Sequence, residues 1–160
     1  MIIIHCQTGH DVKINSNTLE NAMLDGLDLH RALLECFNLT GASLRKANLR
    51  SALMRQVILV KADLTASALM TADFRLADLR NCKFNQSTPI FADFCQANLQ
   101  NADMAQADVG GAVFNYSNLK GAIMLCNRLE EASLEGTFLE KRAIWLIKRF
   151  FFMIKCHKES

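Results

Sequence analysis

One column of residues runs through most of the chain at a spacing of five. Starting at Leu19 it takes in Leu24, Leu29, Leu34, Leu39, Leu44, Leu49, Met54, Leu59, Leu64, Leu69, Phe74, Leu79 and Phe84. It continues through Pro89, Phe94, Leu99, Met104, Val109, Phe114, Leu119, Met124, Leu129, Leu134 and Leu139. Of these 25 positions in one unbroken register, only Pro89 is not an ordinary core residue. Two residues before each lies a column of small side chains: 15 of its 25 members are alanine, and Val57, Ser67, Cys82, Ser87, Ser117 and Thr137 are among the rest. Between the two columns Asp or Asn occurs 11 times, as at Asp28, Asn48, Asp63, Asp73, Asp78, Asn98 and Asp108.

A period of five fits neither regular element. On an α-helix each step of five turns the side chain by about 140°, so the leucines would spiral over every face. On a strand an odd step sends successive side chains to opposite faces. Ala and Leu are good helix formers, yet the period overrides propensity. The geometry that keeps such a column on one side is a chain that turns a corner in every repeat. The central residue and the small residue then point inward, and the other three point outward. Four corners close a coil of 20 residues, and the sequence carries that second period. Phe74, Phe94 and Phe114 lie 20 apart and form a predicted core ladder. Asn38, Asp78, Asn98 and Asn118 recur at multiples of 20 on an outer column. Asp63, Lys83 and Asp103 alternate in sign on another, a favourable arrangement across paired strands.

With these residues in place, the chain resembles the pentapeptide repeat family, whose motif reads A-(D/N)-L-x-x. Good matches are Ala47-Asn48-Leu49-Arg50-Ser51, Ala62-Asp63-Leu64-Thr65-Ala66, Ala77-Asp78-Leu79-Arg80-Asn81 and Ala97-Asn98-Leu99-Gln100-Asn101. The resemblance implies an all-β solenoid, a right-handed quadrilateral parallel β-helix of about six 20-residue coils. Departures fall at Leu27 and Phe37, large where a small residue belongs, and at Asn17 and Asn127. Distorted coils are expected there. Ser87-Thr88-Pro89-Ile90-Phe91 is the expected irregularity in the middle, because proline removes a ladder donor.

A solenoid needs its ends covered. The organisation read from the sequence is a single domain: cap strands over 1–16, the repeat β-helix over 17–141, and a C-terminal helix and basic tail over 142–160. In the N-terminal part, Ile2-Ile3-Ile4 and Val12 with Ile14 flank the turn Gln7-Thr8-Gly9-His10. In the C-terminal part, Ala143, Ile144, Leu146, Ile147, Phe150, Phe151, Met153 and Ile154 make one apolar face of an amphipathic α-helix cap. Trp145 and Phe152 fall instead among its lysines and arginines. They point to a second contact, with a dimer partner or a membrane surface, or else lie along their own helix. Charge sharpens the contrast: residues 141–160 carry 6 basic and 1 acidic residue, against 12 basic and 15 acidic in 1–140. A peripheral membrane contact through 141–160 is one consequence to test.

No run of 18 apolar residues is present and the N-terminus lacks the pattern of a signal peptide, so the expected location is the cytoplasm. There the six cysteines, none in a C-x-x-C pair, are expected as free thiols.

Motifs of chemistry are lacking. His5, Cys6 and His10 are close in sequence, but no second cluster completes a zinc site. There is no phosphate-binding glycine loop, and carboxylates such as Asp73 and Asp93 stand where the repeat itself places Asp to bond backbone. The expectation is a non-enzymatic protein without cofactor or metal, a rigid interaction scaffold that is a homodimer through its C-terminal helix and binds an unidentified protein, with no direct nucleic-acid binding. Its candidate interaction surface is Trp145, Phe152, Ile90, Phe91, Arg55, Arg75 and Tyr116. The resemblance adds an alternative. Some pentapeptide repeat proteins protect DNA gyrase and topoisomerase IV from quinolones by imitating duplex DNA, which needs rows of acidic residues. Here Arg45, Arg50, Arg55, Arg75 and Arg80 interrupt the outer columns.

Overall fold

The computed structural model describes residues 1–138. From Met23 to Phe138 the chain is a coil in which residues 20 apart pair in parallel, beginning Met23–Ser43, Asp28–Asn48 and Leu33–Leu53. Each rung is a single bridging residue per cassette, so the solenoid contains no long strands. Among the described residues, two short strands, β1 (Ile2–Ile4) and β2 (Val12–Ile14), form an antiparallel hairpin ahead of the first coil. Cys6 ties that hairpin to the coil by an antiparallel bridge to Ala32.

The repeat motif follows from an accounting of backbone donors. In the cassette centred on Leu64, the Ala62 N–H closes a turn on the Leu59 carbonyl and the Asp63 N–H donates down to Ala42. The Leu64 and Ala66 N–H groups donate up to Lys83 and Asn85. That leaves the N–H of Thr65, and the Asp63 side chain accepts it at 2.9 Å. The same bond is made by every one of the 11 Asp and Asn residues of that column, from Asp28 to Asn118. Where serine stands instead, at Ser43 and Ser133, the acceptor comes from the coil below: Asp25 takes the N–H of Arg45, and Asn115 that of Glu135.

Each corner has a conformational cost. From Asn21 to Gly121 every residue two past a central one has φ between 53° and 71°. Most are not glycine, and the left-handed region costs an ordinary residue about 1–2 kcal/mol. The corner persists because each such residue also donates a ladder bond to the next coil, as Lys61 does to Arg80 at 2.9 Å and Gln96 to Asn115 at 3.0 Å. Composition announces it only faintly: five of the seven glycines, Gly26, Gly41, Gly111, Gly121 and Gly136, fall in this column, but so do Thr71, Leu76 and Phe91.

The core is the two inward columns. Leu24 through Leu119 are fully or almost fully buried along with most of the alanines. Phe74, Phe94 and Phe114 stack with centroids 5.0 and 4.8 Å apart, and Phe84 meets Phe74 and Phe94 edge-on. The rungs of the ladder are therefore also the rungs of the aromatic stack, at the spacing of paired strands.

The register is not unbroken, which corrects the sequence reading. Asp108 pairs with Asn127, 19 residues on, and the next rung is Val113–Ser133. One residue is missing between Ile123 and Asn127 and one is added after it. Arg128 takes a left-handed φ of 54°, and a short 3-10 turn over Leu129–Glu131 restores the phase. Asn127 is the cause: an inward asparagine would be buried without partners, so it moves to the outer column instead. By contrast Leu27 and Phe37 leave the pairing of their coils intact, only lengthening their turn bonds to 3.4 and 3.3 Å. Pro89 is buried in its column and has no N–H to donate, so the Thr88–Asp108 rung keeps only the bond from the Asp108 N–H to the Ser87 carbonyl at 2.9 Å. The coil continues past it without a bulge, with Phe91 donating to Gly110 at 2.9 Å.

Candidate interaction surface

The 20-residue coil sorts the outward residues onto four faces. The first, over Leu34, Met54, Phe74, Phe94, Phe114 and Leu134, carries Glu35, Arg55, Arg75 and the apolar Leu33, Leu53 and Val113. Arg75 turns its guanidinium onto Asp73 in a bidentate pair and reaches Asp93 at 3.7 Å. That hydrogen bond holds the Asp73 carboxyl below the usual carboxylate range, as Arg80 does for Asp78. Arg55 is exposed and within 4 Å of no acidic group among the described residues.

Two aromatic residues sit at corners flanking this face. Phe91 is 63% exposed and Tyr116 60%. Each lies over a glycine of the coil above: a Cβ on Gly111 would fall 2.3 Å from the Phe91 ring, and one on Gly136 would fall 2.5 Å from that of Tyr116. The ring thus covers backbone bared by the missing side chain. Its signal in the sequence is an aromatic followed 20 residues later by glycine. Tyr116 also donates to Glu135 at 3.2 Å.

The fourth face, over Leu29, Leu49, Leu69, Pro89, Val109 and Leu129, is graded. At its N-terminal end stand His30, Arg31 and Arg50; in the middle Ala68, Met70, Ile90 and Phe91; at the C-terminal end the Asp108–Arg128 ion pair with Glu130 and Glu131. Arg128 folds across Gly110, where a Cβ would meet its guanidinium at 2.4 Å. Between Glu35 and Asp63 the chain has no acidic residue but carries Arg45, Lys46, Arg50, Arg55 and Lys61, so one coil wears a belt of cations. Ile90 and Phe91 thus join Met70 on one face. Arg55, Arg75 and Tyr116 belong to the first face and its edge. Trp145 and Phe152 lie outside the described residues.

No group of His, Cys, Asp and Glu is placed to hold a metal ion among the described residues. Cys6 is buried, whereas exposed His5 pairs with Asp11 at 3.0 Å. The described cysteines are free thiols. Burial pushes Cys95 up to about 11 and Cys126 up to about 12, and Cys82 is raised further while its thiol donates to the Leu59 carbonyl. Cys82 lies in the core and Cys126 packs against it, whereas Cys95 is half-buried on an outer face; the raised values leave all three as thiols rather than thiolates.

A solenoid of five-residue cassettes with an Asp or Asn on the outer rung defines a class of repeat protein. The family model for pentapeptide repeats matches residues 34–69, 72–111, 92–124 and 102–140 in eight copies. The chain belongs to the pentapeptide repeat family, whose members form right-handed β-helical solenoids and are generally non-enzymatic scaffolds. No curated protein matches the chain. Among solved structures it is similar to the pentapeptide repeat protein Rfr23 of the cyanobacterium Cyanothece 51142, at 28% identity and a TM-score of 0.37. That match covers 64% of this chain and 63% of that one, less than two thirds. HetL of Nostoc sp., involved in heterocyst differentiation regulation, is 23% identical over 76% of this chain and 83% of its own, with a TM-score of 0.33. Trypsin-treated QnrB1, a plasmid-mediated fluoroquinolone resistance protein, is 19% identical over 87% of this chain and 92% of its own, with a TM-score of 0.38.

Proposed function

We propose that this pentapeptide repeat protein is a rigid cytoplasmic interaction scaffold without enzymatic activity, which binds a protein partner through its faces. It dimerises through residues 141–160, with Trp145 and Phe152 in the contact. The observation that carries the scaffold reading is the outer surface itself. Regular corners hold exposed Phe91, Tyr116 and Leu76 among charged residues on a frame whose backbone donors are consumed in building it. Sedimentation of the full chain tests the dimer. Replacing Trp145 and Phe152 by serine is expected to lower the association constant of the dimer, and an unchanged association constant overturns that half of the reading.

A second reading is modulation of DNA gyrase and topoisomerase IV by imitation of DNA. It is favoured by the upper coils, where residues 63–138 hold nine acidic against five basic residues. It is opposed by the cation belt below them. A gyrase supercoiling assay with and without a fluoroquinolone separates the two readings. Protection or inhibition at low micromolar protein supports mimicry, and no effect over the titration leaves the scaffold.

A further inference from the structure

We infer that the fourth face is a self-complementary surface on which a second copy of this chain docks antiparallel, independently of residues 141–160. The argument is one of symmetry. An isologous contact requires a surface that matches itself under a two-fold rotation. With the axis lying across the face between the coils of Leu69 and Pro89, each coil of one copy meets the coil equally far from the middle in the other. Register then fixes the opposed residues. Arg31 meets Glu131 and His30 meets Glu130 on the short turn, Asn48 meets Asp108, and Asp28 meets Asn127, which takes the outer position in the slipped coil. At the centre Met70 meets Ile90, with Phe91 beside Thr71. Opposite charges face each other at both ends, no like charges are opposed, and the apolar residues fall on the axis.

The other faces fail this operation or pass it weakly. On the first face it sets Glu35 against Glu135 and Asp73 against Asp93. On the second, over Leu39, Leu59, Leu79, Leu99 and Leu119, it sets Asp78 against its own copy. On the third, over Leu24, Leu44, Leu64, Phe84, Met104 and Met124, it pairs Asp63 with Lys83, but places the apolar Met23, Ile123 and Leu125 at the ends and charge on the axis. The fourth face has what an interface centre and rim call for, exposed apolar side chains including Met70 (40%) and Phe91 (63%) ringed by charge. It is narrow, about 29 Å long for six coils at strand spacing, so association is expected at the weak end of specific interfaces, on the order of micromolar.

Sedimentation equilibrium of the full chain, in the parent and in a Trp145→Ser/Phe152→Ser background that removes the contact proposed above, tests it. Each Arg31–Glu131 pair occurs twice, so Arg31→Glu alone or Glu131→Arg alone is expected to weaken association by about tenfold or more, from two exposed ion pairs turned to repulsion. The double reversal Arg31→Glu/Glu131→Arg is expected to return within about threefold of its background. Ile90→Lys, which leaves the charge pairs alone, is expected to abolish association by this face. The inference is overturned if the Trp145→Ser/Phe152→Ser protein is monomeric at all concentrations, or if its self-association ignores the charge reversals and Ile90→Lys. Loss of the dimer on changing Trp145 and Phe152, with no residual association, would sink this inference while supporting the helix contact; the reverse pattern would do the opposite.

Discussion

At the scale of single residues, the repeat is a solution to hydrogen bonding before it is a packing motif. Four of the five N–H groups in a cassette go to backbone carbonyls, and the Asp or Asn exists to take the fifth. The small inward column obeys a related rule. Ser67 and Ser87 fit there because each hydroxyl donates to a carbonyl three residues back, at 2.7 and 2.6 Å. Ser117 is equally buried, and its hydroxyl has no partner among the described residues. Ser117→Ala, the usual residue of that column, is therefore expected to stabilise the protein by about 1–2 kcal/mol. Ser67→Ala and Ser87→Ala, which delete satisfied hydroxyls, should be neutral or mildly destabilising. Thermal melts of the three variants decide between the two behaviours. What the sequence concealed at this scale is the left-handed corner. Residues as unsuited as Thr71 adopt it (φ 56°), because ladder bonds from the coil above over-determine it.

At the scale of the coil, the unit of stability is the rung. Pro89 occupies a buried central position and cannot donate to the Asp108 carbonyl, so one bond of that rung is lost while Asp108 still donates to Ser87. Pro89→Leu restores both the donor and the side chain that the column calls for. It is expected to raise stability by about 1 kcal/mol, read as an upward shift of the denaturant midpoint at unchanged slope. Asn127 shows the opposite case, in which the sequence departed from the motif and the coil changed its register in response. The departure was visible in the sequence, but its outcome was not, because Leu27 and Phe37 are departures too and their coils stayed in phase. The difference is chemical. A large apolar side chain can be absorbed by a core that tapers at its end, whereas an amide turned inward has no partner there.

At the scale of the whole molecule, stacked coils contact only their neighbours, so long-range order comes from the ladder and from charges repeated along it. Asp73 and Asp78 have their pKa values lowered by Arg75 and Arg80. A carboxylate whose pKa is lower folded than unfolded contributes stability that is complete above the unfolded value near 3.9. That stability is lost as the pH falls through the folded value. The melting temperature is accordingly expected to fall as the pH drops below about 4. A variant with Arg75 and Arg80 replaced by leucine should lose less over the same range. Equal acid sensitivity in both proteins would remove these pairs from the account.

The five-residue period by itself determined the coil, its four faces, the inward columns and the phenylalanine stack, because a spacing of five has one geometry that keeps a column buried. It also determined which residues share a face, and so brought Met70, Ile90 and Phe91 together from positions 20 apart. Only the tertiary structure decided where the register slips, that Arg75 and Arg128 turn back onto Asp73 and Asp108, and that Phe91 and Tyr116 lie over glycines. These are choices among arrangements that the period leaves equal. They are settled by which side chain on the neighbouring coil offers a partner or a space, and a pattern read along the chain contains no distances across it.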